Sequence, residues 1–355
     1  MTFELKPFRI GNLQVDFPIA LAPLAGYSDM PFRRLCRQMG CEYATSEMML
    51  DSCIAIQSKQ QMSLIAFGDD EHPLAGQLVG NTPEMMATAA KMVADQGFDV
   101  VDLNFACPVN KAIKRKRGGR LMNDPKLAIE IIHAVVDAVD VPVTVKNRQR
   151  YNNDDTEENF WQMAEGARDA GCAMLTVHGR SVEQKYTGPA DWDFLRRVKA
   201  HFPDWTVLGS GDVLSPHHAI ELLKTSELDG VVVARGVIGN PWFFRQCRAI
   251  LAGDEPQVPT LAEQAEVMRQ HFDAQLEFYG ERIGCKNMRK CGIKYARNHP
   301  HARKLRMTFV DMKTRKDFDR ILGEWYTDRY EAELRKKVLR EGISGMTCHM
   351  PNVRP

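Results

Sequence analysis

Eight short apolar runs rich in β-branched residues recur before residue 240, and amphipathic stretches of helical length separate them. The runs cover residues 19–25, 43–49, 74–80, 100–107, 141–148, 173–180, 206–212 and 230–236. Strands that alternate with helices pair in parallel, and eight such units in series favour a closed barrel over an open sheet. The sequence therefore predicts an α/β protein built on a (β/α)8 TIM barrel.

The helix starts between these runs carry a recurrent signal, which is a capping residue directly before a proline. Proline suits the first helical position because the N–H that it lacks would have no partner there. The pattern occurs at Thr82-Pro83, Asp124-Pro125 and Ser215-Pro216. It predicts helices over residues 84–96, 126–138 and 217–224.

The composition changes after residue 244, which predicts a second domain. Residues 251–259 contain Gly253, Pro256 and Pro259 and are typical of a linker. From residue 261 to about 340 the pattern is helical, without a strand signal. We therefore expect three regions along the chain. They are a barrel domain over 1–255 with an N-terminal hairpin at 9–17, an all-helical domain over 260–341, and a loosely ordered tail over 342–355.

Composition limits the class of protein. The chain has 355 residues, 44% of them hydrophobic, which is enough for a sizeable core. Its nine cysteines are an odd number without a Cys-x-x-Cys pair, which favours free thiols in a reducing compartment. The N-terminus lacks the apolar core of a signal peptide, and no apolar run is long enough to cross a bilayer. We expect a cytoplasmic, monomeric protein without a membrane partner.

Polar residues stand at or just beyond the C-terminal ends of the predicted strands. They are Gln77, Asn104, Lys146, His178, Asp212 and Arg235. In a (β/α)8 barrel this edge forms the mouth of the active site. One such residue is commonly structural, but six at the same edge of different strands favour a functional site. A buried Lys146 in particular requires an anionic partner.

The last two predicted strands end in glycine-containing turns, Gly209-Ser210-Gly211-Asp212 and Ala234-Arg235-Gly236. Either turn alone is explained equally well by a simple reversal of chain direction as by a phosphate site. On adjacent strands they predict a site for a phosphate-bearing cofactor, because glycine lets backbone N–H groups approach a phosphate. The other mouth residues suit a flat heterocycle, since Gln77 can bond to ring edges and Lys146 can stabilise negative charge.

The fourth run leads into a loop that carries one thiol, Cys107, followed by basic residues without a carboxylate among them. The basic residues are Lys111, Lys114, Arg115, Lys116, Arg117 and Arg120. Two interpretations of this loop remain open from its residues alone. It is either a solvated basic loop with an ordinary cysteine or a site for chemistry on an anionic partner.

A second basic stretch lies in the helical region, where residues 282–310 contain nine Lys or Arg and no Asp or Glu. Net charge is only +1, so affinity for nucleic acid must come from such local clusters. Spacing by four places Arg282, Lys286, Lys290 and Lys294 on one helix face. Met288, Cys291 and Tyr295 lie on another face and are predicted to pack inward. A stretch this long without carboxylates favours a polyanionic partner over a solvated face.

The same region contains Cys285, Cys291, His299 and His301, which raises the question of a zinc site. Their spacing fits no common zinc pattern. We therefore expect no metal.

Together the motifs resemble those of the tRNA-dihydrouridine synthases, most closely the bacterial B type, over nearly the whole chain. In the first half the matching motifs are Ala22-Pro23-Leu24-Ala25-Gly26, Ser46-Glu47-Met48-Met49, Gln77-Leu78-x-Gly80 and Asn104-x-x-Cys107-Pro108. In the second half they are Val143-Thr144-Val145-Lys146, Thr176-Val177-His178-Gly179-Arg180, Gly211-Asp212 and Arg235-Gly236. Arg289-Lys290 with Tyr295 resembles the Arg-Lys-His helix of that family.

The resemblance implies an FMN-dependent barrel followed by a helical tRNA-binding domain. The implied FMN-binding positions are Pro23, Leu24, Ala25, Gln77, Lys146, Ser210, Gly211, Asp212, Ala234 and Arg235, with His178 near the flavin. Cys107 matches the proton donor, and Asn104 matches a residue that faces the target uracil. The implied contacts to the rest of the tRNA are Lys111, Arg180, Lys286, Arg289, Lys290 and Lys294.

The implied reaction is reduction of the C5–C6 double bond of uridine in the D-loop of tRNA, with NADPH, or alternatively NADH, as reductant. A small-molecule FMN oxidoreductase of the dihydroorotate dehydrogenase type would share the barrel residues but would not need the basic helical stretch. A tRNA-binding protein without chemistry would not need Cys107 and Lys146. Four departures from the family pattern are Ala106, Asn147, Ser210 and Cys291. Of these, Ala106 is expected to restrict the turn that presents Cys107.

The role of Cys107 raises an electrostatic question, because an acid must arrive protonated. A free cysteine has a pKa of about 8.5, and the basic residues that follow Cys107 are expected to lower it. We therefore expect the phosphates of tRNA to neutralise these cations on binding and to restore the protonated thiol.

Overall fold

The structure is a computed structural model that describes residues 5–58 and 63–341, so the predicted tail over 342–355 lies outside the described residues. The strands are β1 (Phe8–Ile10), β2 (Leu13–Val15), β3 (Ile19–Leu21), β4 (Ala44–Thr45), β5 (Met49–Leu50), β6 (Leu74–Val79), β7 (Val100–Asn104), β8 (Val143–Arg148), β9 (Met174–His178), β10 (Thr206–Ser210) and β11 (Gly230–Val233). The helices up to the linker are α1 (Met30–Gln38), α2 (Asp51–Ala55), α3 (Pro83–Asp95), α4 (Asn110–Lys114), α5 (Pro125–Val136), α6 (Glu158–Asp169), α7 (Trp192–His201), α8 (Pro216–Thr225) and α9 (Phe243–Ala252). Beyond it follow α10 (Leu261–Tyr295), α11 (Ala302–Val310), α12 (Arg315–Trp325) and α13 (Asp328–Glu341).

Strands β3, β4 and β6 to β11 close into a parallel barrel. The ring closes because β3 pairs with both β11 and β4, and β4 pairs in turn with β6. The antiparallel hairpin of β1 and β2 stands apart, with Gly11 in its turn at a φ of +60°. The predicted (β/α)8 fold and the predicted hairpin are therefore confirmed.

The second predicted strand, over 43–49, is interrupted. Only Ala44 and Thr45 join the barrel ring, and Met49 and Leu50 form β5 beside β6. The interruption has a local cause, because the backbone N–H of Gln77 donates to the Ser46 hydroxyl at 3.1 Å in place of a ladder carbonyl. The side chain of Ser46 thus replaces one rung of the sheet.

The predicted helix starts are confirmed at all three sites. The helices begin at Pro83, Pro125 and Pro216. The Asp124 carboxylate accepts the N–H of Leu127 at 3.2 Å, and the Ser215 hydroxyl accepts that of His218 at 3.1 Å. These bonds satisfy N–H groups that a helix start leaves without a partner.

The barrel core lies in two layers. The larger one fills the space between strands and surrounding helices, with fully buried aromatic rings such as Phe160 and Phe194. A smaller cluster joins Phe8 and Ile10 of the hairpin to residues of the barrel strands, and the hydroxyl of Thr206, the first residue of β10, donates to the Arg9 carbonyl at 2.7 Å. The hairpin thus covers the end of the barrel opposite the mouth.

The helical region has its own apolar core. Met288, Cys291 and Tyr295 are buried in it, as their shared helix face predicts. Gly280, with a φ of +73° and a ψ of +168°, interrupts α10. Among the described helices, none has the length and apolar character needed to span a bilayer.

Close packing joins the end of α10 to the barrel at Gly239. A Cβ added there would lie 2.5 Å from the carbonyl carbon and oxygen of Lys294, and the φ of Gly239 is +79°. The Asn298 amide donates to the Gly239 carbonyl at 3.1 Å. Only glycine fits this contact, since both neighbours are backbone.

The substitution Gly239→Ala is therefore expected to destabilise the protein by about 2–4 kcal/mol, the sum of an unfavourable backbone conformation and steric overlap. Gly253→Ala is the matched control, because Gly253 also has a positive φ but nothing within 4 Å of an added Cβ. It should cost only about 1–2 kcal/mol. Urea unfolding measures both, and equal losses would contradict the steric argument.

Candidate active site at the barrel mouth

The strand-end residues singled out in the sequence share one rim. Asn104 is level with Lys146 in the register of β7 and β8, and His178 is level with Ser210 in that of β9 and β10. Gln77 extends this row on β6 and hydrogen-bonds to Asn104. Gly211, Asp212, Ala234 and Arg235 follow the last two strands, and Pro23, Leu24 and Ala25 follow the first. The barrel therefore gathers the predicted mouth residues at its C-terminal end.

A directed chain of buried hydrogen bonds crosses three strands at this rim. The side-chain Oδ1 of Asn104 accepts the backbone N–H groups of Ala106 at 3.1 Å and Cys107 at 2.9 Å. The Asn104 amide donates to Gln77 at 2.7 Å, and the Gln77 amide donates to Asp102 at 2.6 Å. The Thr144 hydroxyl donates to the second Asp102 oxygen at 2.7 Å.

This chain fixes what Asn104 can offer a ligand. Both lone pairs of its carbonyl oxygen are used, and one amide N–H is bonded to Gln77, so one N–H donor remains. A ligand atom facing Asn104 must therefore be a hydrogen-bond acceptor. Asp102, at the end of the chain, was missed in the sequence. The available signal was a carboxylate within the apolar strand 100–104.

Lys146 carries an unsatisfied polar group at the mouth. Its ammonium nitrogen is buried and has no hydrogen-bond partner among the described residues. Burial and the nearby Arg148 guanidinium lower the pKa of Lys146 to about 8, against the attraction of Asp102. A buried amine in this state requires an anionic or acceptor group. The site therefore fits a cofactor that places such a group beside Lys146.

His178 is neutral at pH 7. Burial, followed by the charges of Arg148 and Lys146, lowers its pKa well below the ordinary value. Arg180 approaches its Nε2 at 3.4 Å, so Nδ1 carries the proton and donates to the Ser210 hydroxyl at 3.2 Å. The imidazole is therefore a fixed dipole of the rim.

An ionic cluster stands beside the glycine turns. Asp212 pairs with Arg180 at 2.5 Å and with Arg235 at 3.0 Å. Burial alone would raise the pKa of Asp212, but the Arg180 hydrogen bond and its neighbours hold the pKa below its usual value. Gly211 and Asp212 have φ values of +134° and +53°, which produces a sharp turn. Arg180 is buried and also donates to the Gly188 carbonyl, so it braces the loop after β9.

Cys107 is half-buried in a turn that other residues hold from both sides. Its carbonyl accepts the N–H of Gly119 at 3.0 Å, and a Cβ on Gly118 would lie 2.9 Å from the Cys107 Cβ. Ala106, expected to restrict this turn, is not among the described non-glycine residues with positive φ. Alanine therefore fits the turn.

Arg148 is a second residue that the sequence analysis missed. Its Nε donates to the Ala106 carbonyl at 2.8 Å, and its Nη1 donates to the carbonyls of Ser181 and Lys185, each at 2.8 Å. This buried guanidinium connects the loop that carries Cys107, here called the cysteine loop, to the loop after β9. The Val-Lys-Asn-Arg run at the end of the fifth predicted strand was the available signal, and only Lys146 was used from it.

The expectation that the basic loop lowers the pKa of Cys107 is wrong for the free protein. Burial raises that pKa, and the Val109 N–H and Arg148 only partly oppose the effect. The basic residues act elsewhere because Lys111, Lys114, Arg115 and Lys116 are exposed to solvent. The Arg117 guanidinium pairs with the Asp51 carboxylate at 3.8 Å. The Arg120 guanidinium lies 5.2 Å from the centre of the Tyr151 ring. Water screens such charges from the thiol.

The predicted helical contacts differ in exposure. Lys286 is exposed and Arg289 is half-buried. Lys290 reaches the barrel, where its ammonium donates to the Gly26 carbonyl and lies 4.5 Å from the centre of the Tyr27 ring. The backbone of Lys294, in the last turn of α10, packs against Gly239. The structure therefore brings Lys290 to the mouth and leaves Lys286 facing solvent.

The two histidines considered for zinc have other partners. His299 Nε2 contacts the Trp325 carbonyl at 2.8 Å, and His301 pairs with Glu333 at 2.9 Å. Within residues 5–58 and 63–341, no group of three His, Cys, Asp or Glu side chains is placed to hold a metal ion.

Comparison with known proteins gives a consistent result. The sequence profile of the family described as "Dihydrouridine synthase (Dus)" matches residues 20–339. A "Probable tRNA-dihydrouridine synthase" of Rickettsia conorii is 36% identical over 331 residues, covering 93% of this chain and 99% of the relative. The "tRNA-dihydrouridine synthase B" of Pseudomonas putida is 36% identical over 307 residues, covering 86% of this chain and 90% of the relative.

Solved structures with a similar fold are more distant. A 2-naphthoyl-CoA reductase has a TM-score of 0.56 at 14% identity, covering 70% of this chain and 52% of that protein. A histamine dehydrogenase from Rhizobium sp. 4-9 has a TM-score of 0.54 at 13% identity, covering 76% and 50%. The chain thus matches about half of each, and at these identities the likeness shows the barrel fold alone.

The pKa of Cys107 can be tested by alkylation with iodoacetamide in protein free of tRNA. Because the thiolate is the reactive form and burial disfavours it, the midpoint of labelling against pH should lie above about 8.5. Mass spectrometry of the Cys107 peptide gives this midpoint. Lys114→Met should leave it unchanged, because Lys114 is solvent-exposed. A labelling midpoint below about 8.5, or a higher midpoint in Lys114→Met than in the wild type, would show that the basic residues do lower the pKa of Cys107.

Proposed function

The chain belongs to the dihydrouridine synthase family, and from that premise we propose that it reduces the C5–C6 double bond of specific uridines in the D-loop of tRNA, with FMN as cofactor and NADPH as reductant. One observation carries the proposal most directly. A buried ammonium without a described partner, Lys146, stands level with Asn104, whose side-chain oxygen holds the backbone of Cys107. This supports a cofactor beside Lys146 and a proton donor on the loop that follows Asn104.

FMN suits the residues of the mouth. The turns at Ser210, Gly211, Ala234 and Arg235 offer backbone N–H groups and a cation for its phosphate. Gln77, Lys146 and His178 would surround its ring, with Pro23, Leu24 and Ala25 at the edge. When bound, FMN supplies the hydride that adds to C6 of the uracil ring.

Cys107 donates the proton that C5 requires. Because burial raises its pKa, the thiol is protonated at neutral pH before tRNA binds. Neutralisation of the basic loop is therefore not needed to prepare the acid. The side-chain oxygen of Asn104 accepts the N–H of Cys107, and the remaining N–H of its side-chain amide can donate to a uracil carbonyl. After transfer, the thiolate regains its proton from solvent.

Exposed cations beside the cysteine loop provide the surface for tRNA. Lys111, Lys114, Arg115 and Lys116 have no ion pair with any residue that the structure describes. Lys286 and Arg289 add cations from the helical region, without a carboxylate over residues 282–310. A basic surface of this kind suits a phosphate backbone, while the target base leaves its stack to reach the mouth.

The central test compares Cys107→Ala with the wild type. The variant should retain reduction of bound flavin by NADPH, because that step does not involve the thiol. Dihydrouridine formation should fall by a factor of about 10² or more, the usual contribution of a general acid. Cys53→Ala, at another half-buried cysteine, should keep full activity. Full activity in Cys107→Ala would remove the thiol from the mechanism.

The tRNA surface is tested by Lys111→Ala, which removes an exposed cation beside the cysteine loop. tRNA binding should weaken, and the negative slope of log K against log salt should become less steep by about one. Lys316→Ala, an exposed lysine on α12, is the control and should leave the slope unchanged. A salt slope identical to that of the wild type in Lys111→Ala would place the tRNA elsewhere. Absence of tRNA binding by the wild type would favour a small-molecule substrate.

A further inference from the structure

Lys290 belongs to the helical region but holds part of the barrel mouth. Its ammonium donates to the Gly26 carbonyl and lies 4.5 Å from the centre of the Tyr27 ring. Both residues directly follow Pro23, Leu24 and Ala25, the segment proposed to contact FMN. The positive charge therefore acts on the peptide next to that segment.

Gly26 is held by a residue from outside its own loop. Its carbonyl accepts from Lys290, and its backbone acts on the nearby Glu47 carboxyl to oppose the rise in pKa that burial causes there. Its φ of +75° places it in the left-handed region, where the chain reverses. Within the turn, Leu24 bonds to the Ser28 hydroxyl at 2.7 Å, and Ala25 and Gly26 remain exposed. Lys290 is thus an external anchor on the exposed side of the turn.

The position of Lys290 is itself well defined. Gln275, before the interruption of α10 at Gly280, donates to the Asp29 carboxylate at 2.8 Å. The side-chain amide of Asn287, after the interruption, donates to the side-chain Oε1 of Gln275 at 3.1 Å. These bonds connect the two segments of α10 to each other and to Asp29, which stands at the end of the same loop. The segment that carries Lys290 is therefore braced against the loop that Lys290 contacts.

We propose that Lys290 is a positioning residue for the loop over residues 22–29, here called the cofactor loop, which it orders by holding Gly26 and Tyr27. In this role Lys290 does not serve as a phosphate contact for tRNA. A charged donor forms a stronger hydrogen bond to a carbonyl than a neutral one does, and the Tyr27 ring adds a cation–π contact. A loop that is ordered before binding loses less entropy when the ligand arrives. The assignment of residues 23–25 to FMN rests on the proposed function.

The experiment uses Lys290→Met in the full-length protein, stripped of flavin and without tRNA. Two quantities are measured, the Kd for added FMN by fluorescence titration and hydrogen exchange of the peptide over residues 22–29. We expect a Kd about tenfold weaker and faster exchange in that peptide, because one charge-assisted bond and one ring contact are lost. Lys290→Arg, which keeps a donor and a cation, should recover most of both. Lys316→Met, the same substitution at an exposed site on α12, should change neither.

Three results would overturn the proposal. The first is a Kd and an exchange rate in Lys290→Met that match the wild type. The second is an equal change in Lys316→Met, which would indicate general destabilisation. The third comes from a separate titration of the same protein with tRNA, in which a salt slope less steep by about one in Lys290→Met would identify a phosphate contact. If the wild type binds no FMN, the proposed function fails, but exchange of residues 22–29 still decides whether Lys290 holds the loop.

Discussion

The arrangement of the mouth depends on one buried carboxylate, Asp102. It accepts hydrogen bonds from the Gln77 amide and the Thr144 hydroxyl. Through Gln77 it supports Asn104, whose side-chain oxygen holds the backbone of Cys107. All donors in this chain point toward Asp102, so each bond polarises the next. Loss of the carboxylate would leave two buried donors without an acceptor, at a cost of about 1–3 kcal/mol each. The position of the thiol is thus fixed by a residue that does not touch it.

Charge balance in the barrel depends on the same residue. Lys146 is buried near Asp102 but has no direct hydrogen-bond partner among the residues described. Asp102 only partly offsets its positive charge, and the pKa of Lys146 falls to about 8. An anionic ligand beside Lys146 would complete the balance and would raise the pKa of Lys146 toward its ordinary value. Burial, together with the charges of Arg148 and Lys146, keeps His178 neutral, so its imidazole adds a fixed dipole to the rim.

The sequence predicted the barrel because periodicity is a local property of each run. It also predicted that Gln77, Asn104, Lys146 and His178 share a rim, because the ends of parallel strands must meet. Asp102 was missed because its partners come from other strands, which local spacing does not reveal. The pKa of Cys107 was predicted in the wrong direction because neighbours in sequence, such as Lys114, lie in solvent. Spacing likewise placed Lys290 on a helix face but did not show that this face meets the barrel.

The most direct test of this account is a reaction of the purified protein with NADPH and tRNA that lacks dihydrouridine. Mass spectrometry of the tRNA fragments should show that a D-loop uridine has gained two hydrogen atoms, together with consumption of NADPH. Oxidation of NADPH with a small-molecule acceptor, without any change in the mass of the tRNA, would contradict the proposed reaction.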